Sequence, residues 1–173
     1  RLEDNSDDLV IMGMVPSERP YTSLPFLDNE LVPVVPTDHP FLSTPAFSTQ
    51  EFLDSQLLIR ESGSGSRLAL ETHCRNHHLH INNYMELGSN DALKHAVIAG
   101  LGVAVLPKVS ILPELKLGLM HIIDLPDFPL KRSWCVVYPQ AKHPTPAMRA
   151  FIEYIQQNIR QFEHTFLRQN QGF

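Results

Sequence analysis

The stretch Leu57-Leu58-Ile59-Arg60-Glu61-Ser62-Gly63-Ser64-Gly65-Ser66-Arg67-Leu68 decides how this chain is read. An apolar run breaks into serine and glycine, and a helical segment, Leu68 to His78, follows. The first N–H groups of such a helix have no intrahelical partner, and the helix dipole is positive at that end. Together they form an anion site. Ser62, Ser64 and Ser66 add hydroxyl donors, Gly63 and Gly65 complete the tract, and Arg67 adds fixed positive charge. The expected occupant is a small anionic molecule.

A second segment repeats the logic. Gly88-Ser89-Asn90-Asp91 opens the helical run Ala92 to Ala99, which ends at Gly100-Leu101-Gly102. Ser89 is a good N-cap, Asp91 suits the first turn, and Gly100 suits a left-handed C-cap. The apolar run Val103-Ala104-Val105-Leu106, closed by Pro107, then reads as a buried strand. A capped helix alone is usually only a cap. Two anion-capable helix starts, one behind a run of alternating serine and glycine, favour a ligand site with Ser89 and Asn90 on a second wall.

Composition narrows the class. The 173 residues suffice for a core in one or two lobes, and 43% apolar with 19% charged residues is an ordinary globular balance. A formal net charge of −5 argues against this chain wrapping nucleic acid, which needs a basic face. No apolar run approaches the roughly 20 residues of a membrane span, and no secretory leader is visible, so a cytoplasmic location is expected. Cys74 and Cys135 are expected as buried free thiols.

Strand and helix signals alternate. Leu9-Val10-Ile11-Met12 before Gly13 reads as a buried strand of parallel type. Ser23 to Leu27 and Leu31 to Val35 read as two strands separated by the turn signal Asp28-Asn29. Ser48-Thr49-Gln50-Glu51 is a capping box opening a helix to Asp54. Strands follow at Leu57 to Ile59, Asn83 to Leu87, His121 to Leu125 and Ser133 to Tyr138. A short helix is expected from Ser110 to Lys116, despite Pro113. Pro144 to Arg168 carries Met148, Phe151, Ile152, Ile155, Ile159 and Phe162 at helical spacing, a packing stripe, and Asn170 to Phe173 is expected to fray. The sum is an α/β fold with mostly parallel sheets, whose ligands sit beyond the carboxyl ends of strands.

Catalytic and metal readings are weaker. His73 and His77, or Cys74 and His78, could share a helix face, but no further cluster completes a ligand set, so no metal is expected. Gly63-Ser64-Gly65 has the wrong spacing for a nucleophile elbow. Neither a phosphate loop ending in Gly-Lys-Ser/Thr nor a dinucleotide fingerprint is present. No enzyme activity and no cofactor are expected.

The order and spacing of these pieces resemble the effector-binding domain of LysR-type transcriptional regulators over nearly the whole chain. The matching segments include Asp8 to Gly13, Leu31-Val32-Pro33-Val34-Val35-Pro36 with Asp38-His39-Pro40, Arg60 to Arg67, Glu86 to Lys94 and Ala99 to Pro107. Arg132 to Tyr138 and Pro144 to Phe151 also fit. Arg60 to Arg67, Met85 to Asp91 and Asp127 to Trp134 are most similar to regulators of carbon-fixation (RuBisCO) operons.

The resemblance implies two Rossmann-like subdomains of the type II periplasmic-binding-protein kind, joined by crossover strands near Leu31 to Val35 and Val136 to Pro139. Subdomain I would take residues 1–33 and 138–173, and subdomain II residues 34–137. The effector would lie in the cleft, with Gly13 and Met14 on one wall and Ser62 to Arg67, Ser89 and Asn90 on the other. Family members open this domain with a strand and helix, preceded by a DNA-binding winged helix-turn-helix; both are expected to be absent from this chain. The implied partners are a sugar phosphate or carboxylate, such as a phosphoglycolate-like metabolite, DNA through the absent domain, and further copies in a dimer or tetramer. A solute-binding protein of an anion transporter is the alternative, which a leader peptide would favour.

Overall fold

β3 (Leu57–Arg60) and β5 (Val103–Pro107) run side by side and carry most of the apolar sequence in the middle of the chain. The computed structural model describes residues 1–15, 19–44 and 46–169, so the expected fraying of Asn170 to Phe173 lies outside the described residues. The remaining strands are β1 (Val10–Met12), β2 (Tyr21–Pro36), β4 (Tyr84–Leu87), β6 (Met120–Ile122) and β7 (Leu130–Pro139). The helices are α1 (Thr49–Asp54), α2 (Gly65–Asn76), α3 (Asn90–Ile98), α4 (Leu112–Lys116) and α5 (Pro146–Gln169). Among the described residues no helix is long and apolar enough to cross a membrane.

The chain divides into two units, one of Arg1–Asn29 with Arg132–Phe173 and one of Glu30–Lys131. β2 starts in the first unit and ends in the second, and β7 does the reverse.

In the second unit β3 is parallel to both β4 and β5, with Leu57 opposite Tyr84 and Val103. β5 pairs antiparallel with β2, Val32 opposite Leu106, and β6 pairs antiparallel with β2, Val35 opposite His121. The sheet is therefore mixed rather than mostly parallel. Its central strands are apolar throughout because both faces are covered. Leu57, Ile59, Val103 and Val105 pack with Phe52, Leu53, Leu70 and Cys74 of α1 and α2. The alternate residues Leu58, Ala104 and Leu106 pack with Leu93 and Val97 of α3 and with Ile111. Gly102 is obligatory for this packing: a Cβ there would lie 2.1 Å from the Gln56 carbonyl oxygen. Gly100, at φ +73°, ends α3 in the expected left-handed cap, with Leu101 N–H donating to Ala96 O at 3.0 Å.

In the first unit β1 pairs antiparallel with β7, Met12 opposite Cys135. The expected buried, parallel strand is thus antiparallel, and Ile11 is 48% exposed. β7 in turn neighbours β2. β2 is one strand of 16 residues where two were expected. Asp28-Asn29 carries turn chemistry, but the extended backbone passes through it and Asn29 is buried. Met148 and Ile155 of α5 are buried, whereas Phe151 and Tyr154 are exposed, so only part of the apolar stripe packs. Both cysteines are free and buried, as expected. Burial raises the Cys74 thiol to about 11.

Candidate functional site

β3 and β4 end level with one another, Arg60 opposite Leu87. Each then turns into a helix, β3 into α2 and β4 into α3. Two helix N-termini therefore emerge side by side from the carboxyl edge of adjacent parallel strands. Ser62 to Arg67 and Ser89-Asn90 are brought together on the second unit in this way. Gly13 and Met14 lie in the first unit, just after β1.

The two helix starts differ. In α3 the Ser89 hydroxyl accepts from Ala92 N–H at 3.0 Å, an N-cap of the expected kind. In α2 Ser64 occupies the same position but makes no capping bond. Its hydroxyl lies 3.1 Å from that of Ser66 instead. The first intrahelical bond is Leu68 N–H to Ser64 O at 3.0 Å. The N–H groups of Gly65 and Ser66 precede it and have no capping acceptor among the described residues. The turn is set by Gly63 at φ +88°, with Ser64 N–H donating to Glu61 O at 3.1 Å. α2 therefore presents uncapped donors flanked by the Ser62, Ser64 and Ser66 hydroxyls, whereas in α3 the Ser89 hydroxyl closes one of the open donors, that of Ala92.

Arg67 does not supply a free charge. Its guanidinium donates to Glu71 Oε1 at 2.7 Å, to Glu86 Oε2 at 2.5 Å and to Arg60 O at 3.1 Å. It also lies over the Tyr84 ring, 5.4 Å from the centroid. The hydrogen bond to Glu71 does most to raise its pKa above the ordinary arginine value. Arg67 ties α2 to the ends of β3 and β4.

Arg60, which sequence reasoning passed over, does the same for α3. It grips Glu61 with two bonds, Nε to Oε2 at 2.7 Å and Nη2 to Oε1 at 2.8 Å, and reaches Asn90 Oδ1 with Nη1 at 2.8 Å. The hydrogen bond from Arg60 holds the Glu61 carboxyl down at about 2. The available signal was an arginine closing an apolar strand.

The helix histidines do not gather a ligand set. His77 Nδ1 lies 3.3 Å from Asp127 Oδ2, and the half-buried His73 ring packs edge-on against Phe128, centroids 5.0 Å apart. Among the described residues no group of three or more His, Cys, Asp or Glu stands together as metal ligands do.

The family profile described as the LysR substrate binding domain matches residues 1–160. This chain belongs to that family. The RuBisCO operon transcriptional regulator of Acidithiobacillus ferrooxidans is 40% identical over 155 residues, 90% of this LysR domain and 50% of that protein. The transcriptional activator CmpR of Synechocystis is 34% identical over 155 residues, covering 90% of this chain and 51% of CmpR. The chain thus spans about half the length of these curated relatives. The regulatory domain of CcmR from Synechocystis, solved in complex with 2-PG, superposes with a TM-score of 0.82 at 32% identity. That match covers 94% of this chain and 78% of the CcmR domain. The expected fold and the carbon-fixation subgroup are both supported by these relatives.

Proposed function

We propose that this LysR domain senses a small anionic metabolite, and that the whole protein is a transcriptional regulator of carbon-fixation genes. One observation carries the ligand reading: two helix N-termini emerge side by side from β3 and β4, and that of α2 has uncapped N–H groups flanked by serine hydroxyls. Such a start takes a phosphate or carboxylate. The CcmR domain, a relative by sequence and fold, has been solved with 2-PG. A phosphorylated two- or three-carbon acid, or a sugar phosphate, is therefore the favoured class.

Ser62 to Ser66 and Ser89 would donate to the anion. Asn90 would offer its amide N–H₂, its oxygen being held by Arg60. Gly13 and Met14 would contribute backbone from the first unit. Arg67 would act through position rather than charge. The effector would prefer one of two states of the domain, and that preference would re-set how the full protein holds DNA. The protein would work in the cytoplasm as a homo-oligomer, contacting DNA through a segment other than this domain, without catalysis. The solute-binding alternative has no support from the relatives, which are regulators of transcription.

Thermal shift against ribulose 1,5-bisphosphate, 2-phosphoglycolate, 3-phosphoglycerate, phosphoenolpyruvate, 2-oxoglutarate and sulfate tests the ligand reading, because a ligand specific to the folded state raises stability with its concentration over Kd. A selective rise with a phosphorylated acid or sugar supports it. No rise with any of them refutes it.

A further inference from the structure

Partly buried cations in this protein almost all carry a carboxylate. Arg60 pairs with Glu61, Arg67 with Glu71 and Glu86, Lys94 with Glu114, Lys108 with Glu30 and Lys142 with Asp8. Arg132 is the exception. It is no more than half-exposed, and it has no carboxylate partner among the described residues. Its Nε is fully buried and makes no hydrogen bond. A desolvated donor of this kind, with its charge unanswered, is costly unless something outside the chain answers it.

A second orphan lies in the first unit. Asn29 is 5% exposed, and its Oδ1 is buried without a partner. The position a Cβ would take on Gly13 lies 3.5 Å from Asn29 Nδ2 and 3.8 Å from the Trp134 ring. Asn29 and Trp134 thus flank the same point beside Gly13. Arg132 precedes Trp134 by two residues in β7, so its side chain leaves the same face of that strand. One face of the first unit therefore carries a lone acceptor, a lone cationic donor, an aromatic ring and a glycine. Glu114 Oε2 is also without a partner, but its other oxygen holds Lys94 at 2.9 Å, so that charge is answered.

We infer that Arg132 and Asn29 form an anion contact on the first unit, with Arg132 supplying the counter-charge and Asn29 Oδ1 accepting from a ligand hydroxyl. This rests on the proposed function for the ligand being a small anion, and it adds that the ligand carries a hydroxyl or acid proton. It also moves the charged element of recognition from Arg67, whose charge is already spent on two carboxylates, to Arg132. Burial alone lowers the Arg132 pKa, the direction expected of a cation awaiting its partner.

The test is calorimetry and thermal melting of the protein with Arg132→Gln and Arg132→Lys, using 2-phosphoglycolate, 3-phosphoglycerate and ribulose 1,5-bisphosphate. Arg132→Gln is expected to raise Kd at least tenfold for the anion that binds. Its ligand-free Tm is expected to equal or exceed that of the native protein, because an unanswered charge has been removed. Arg132→Lys keeps the charge and is expected to bind between the two. Binding by Arg132→Gln within twofold of native overturns the inference and leaves the proposed function intact. So does a fall in ligand-free Tm that accompanies the lost binding, since that marks a structural role. A native protein that responds to none of the three anions overturns this inference together with the reading beneath it.

Discussion

Ser64 and Ser89 look alike in the sequence, each a serine one residue before a helix, yet their replacement by alanine should separate cleanly. Ser89 Oγ accepts from Ala92 N–H at 3.0 Å and closes one of the open donors of α3. Losing such a cap costs about 1 kcal/mol, which for a chain of this size is a fall in Tm of roughly 2–4 °C. Ser64 Oγ caps nothing and faces Ser66 Oγ at 3.1 Å. Ser64→Ala should therefore stay within about 0.5 kcal/mol of native, as a substitution clear of caps and core does. Binding inverts the order. Ser64 stands among uncapped donors, and a hydrogen bond to a charged ligand is worth about 1.5–3 kcal/mol, so Ser64→Ala should raise Kd on the order of tenfold or more. Ser89 retains only a hydroxyl hydrogen for the ligand, and its replacement should have the smaller effect on Kd. Urea unfolding gives the first comparison and calorimetry with the anion identified by thermal shift the second. If Ser64→Ala destabilises as much as Ser89→Ala while leaving Kd unchanged, α2 is an ordinary capped helix and the site reasoning fails.

Three further outcomes follow from the packing. Gly102→Ala drives a Cβ to 2.1 Å from the carbonyl oxygen of Gln56, the residue before β3, where backbone cannot yield cheaply, so a loss of about 3 kcal/mol or more is expected in urea unfolding. Lys94 and Glu114 join α3 to α4 at 2.9 Å with side chains 15% and 14% exposed, so Glu114→Ala, which leaves the half-buried ammonium only the exposed Asp91 carboxylate at 3.3 Å, should cost about 2 kcal/mol, whereas Lys94→Met with Glu114→Leu should recover most of it. The Cys74 thiol, raised from 9.0 to about 11 by burial, favours the protonated fold: its contribution is complete below pH 9 and lost as pH climbs through 11. Melting curves of Cys74→Ala should then show a shallower alkaline decline than the native protein, and equal slopes would contradict the assignment.

Much of the second unit was legible because local chemistry and tertiary packing agree there. The Ser48–Glu51 capping box forms as read, Ser48 N–H donating to Glu51 Oε2 at 2.7 Å and Glu51 N–H to Ser48 Oγ at 3.2 Å. The apolar runs at Leu57 and Val103 became doubly covered strands for the reason their composition implies. What failed was decided by distant partners. Asp28-Asn29 has turn chemistry, but a strand that belongs to two units overrides it. Four apolar residues at Leu9 cannot reveal which way a neighbouring strand runs, and β7 runs antiparallel. Arg67 showed its charge but not its occupation. Glu71, at i+4, was visible in the sequence, yet Glu86 arrives from β4 only once the sheet has formed.

That occupation bears on how the second unit would recognise the proposed anion. Beside the two helix starts, Arg60 and Arg67 face Glu61, Glu71 and Glu86 within hydrogen-bonding distance. Two guanidiniums against three carboxylates leave no net positive charge there, so what can hold an anion is short-range: uncapped N–H groups and serine hydroxyls. Such donors reward an oxygen only where geometry lets it meet them, so they discriminate by shape and attract weakly from afar. Arg67 and Arg60 would serve that discrimination by holding the donors still, one fastening α2 to β4 and the other fastening β3 to α3. A charged anion still requires a counter-charge, and the acidic chain, at −5 overall, offers little of it in general. The guanidinium of Arg132, inferred above to be a counter-charge, would meet that requirement, whereas the dipoles and hydroxyls at the start of α2 would select by shape.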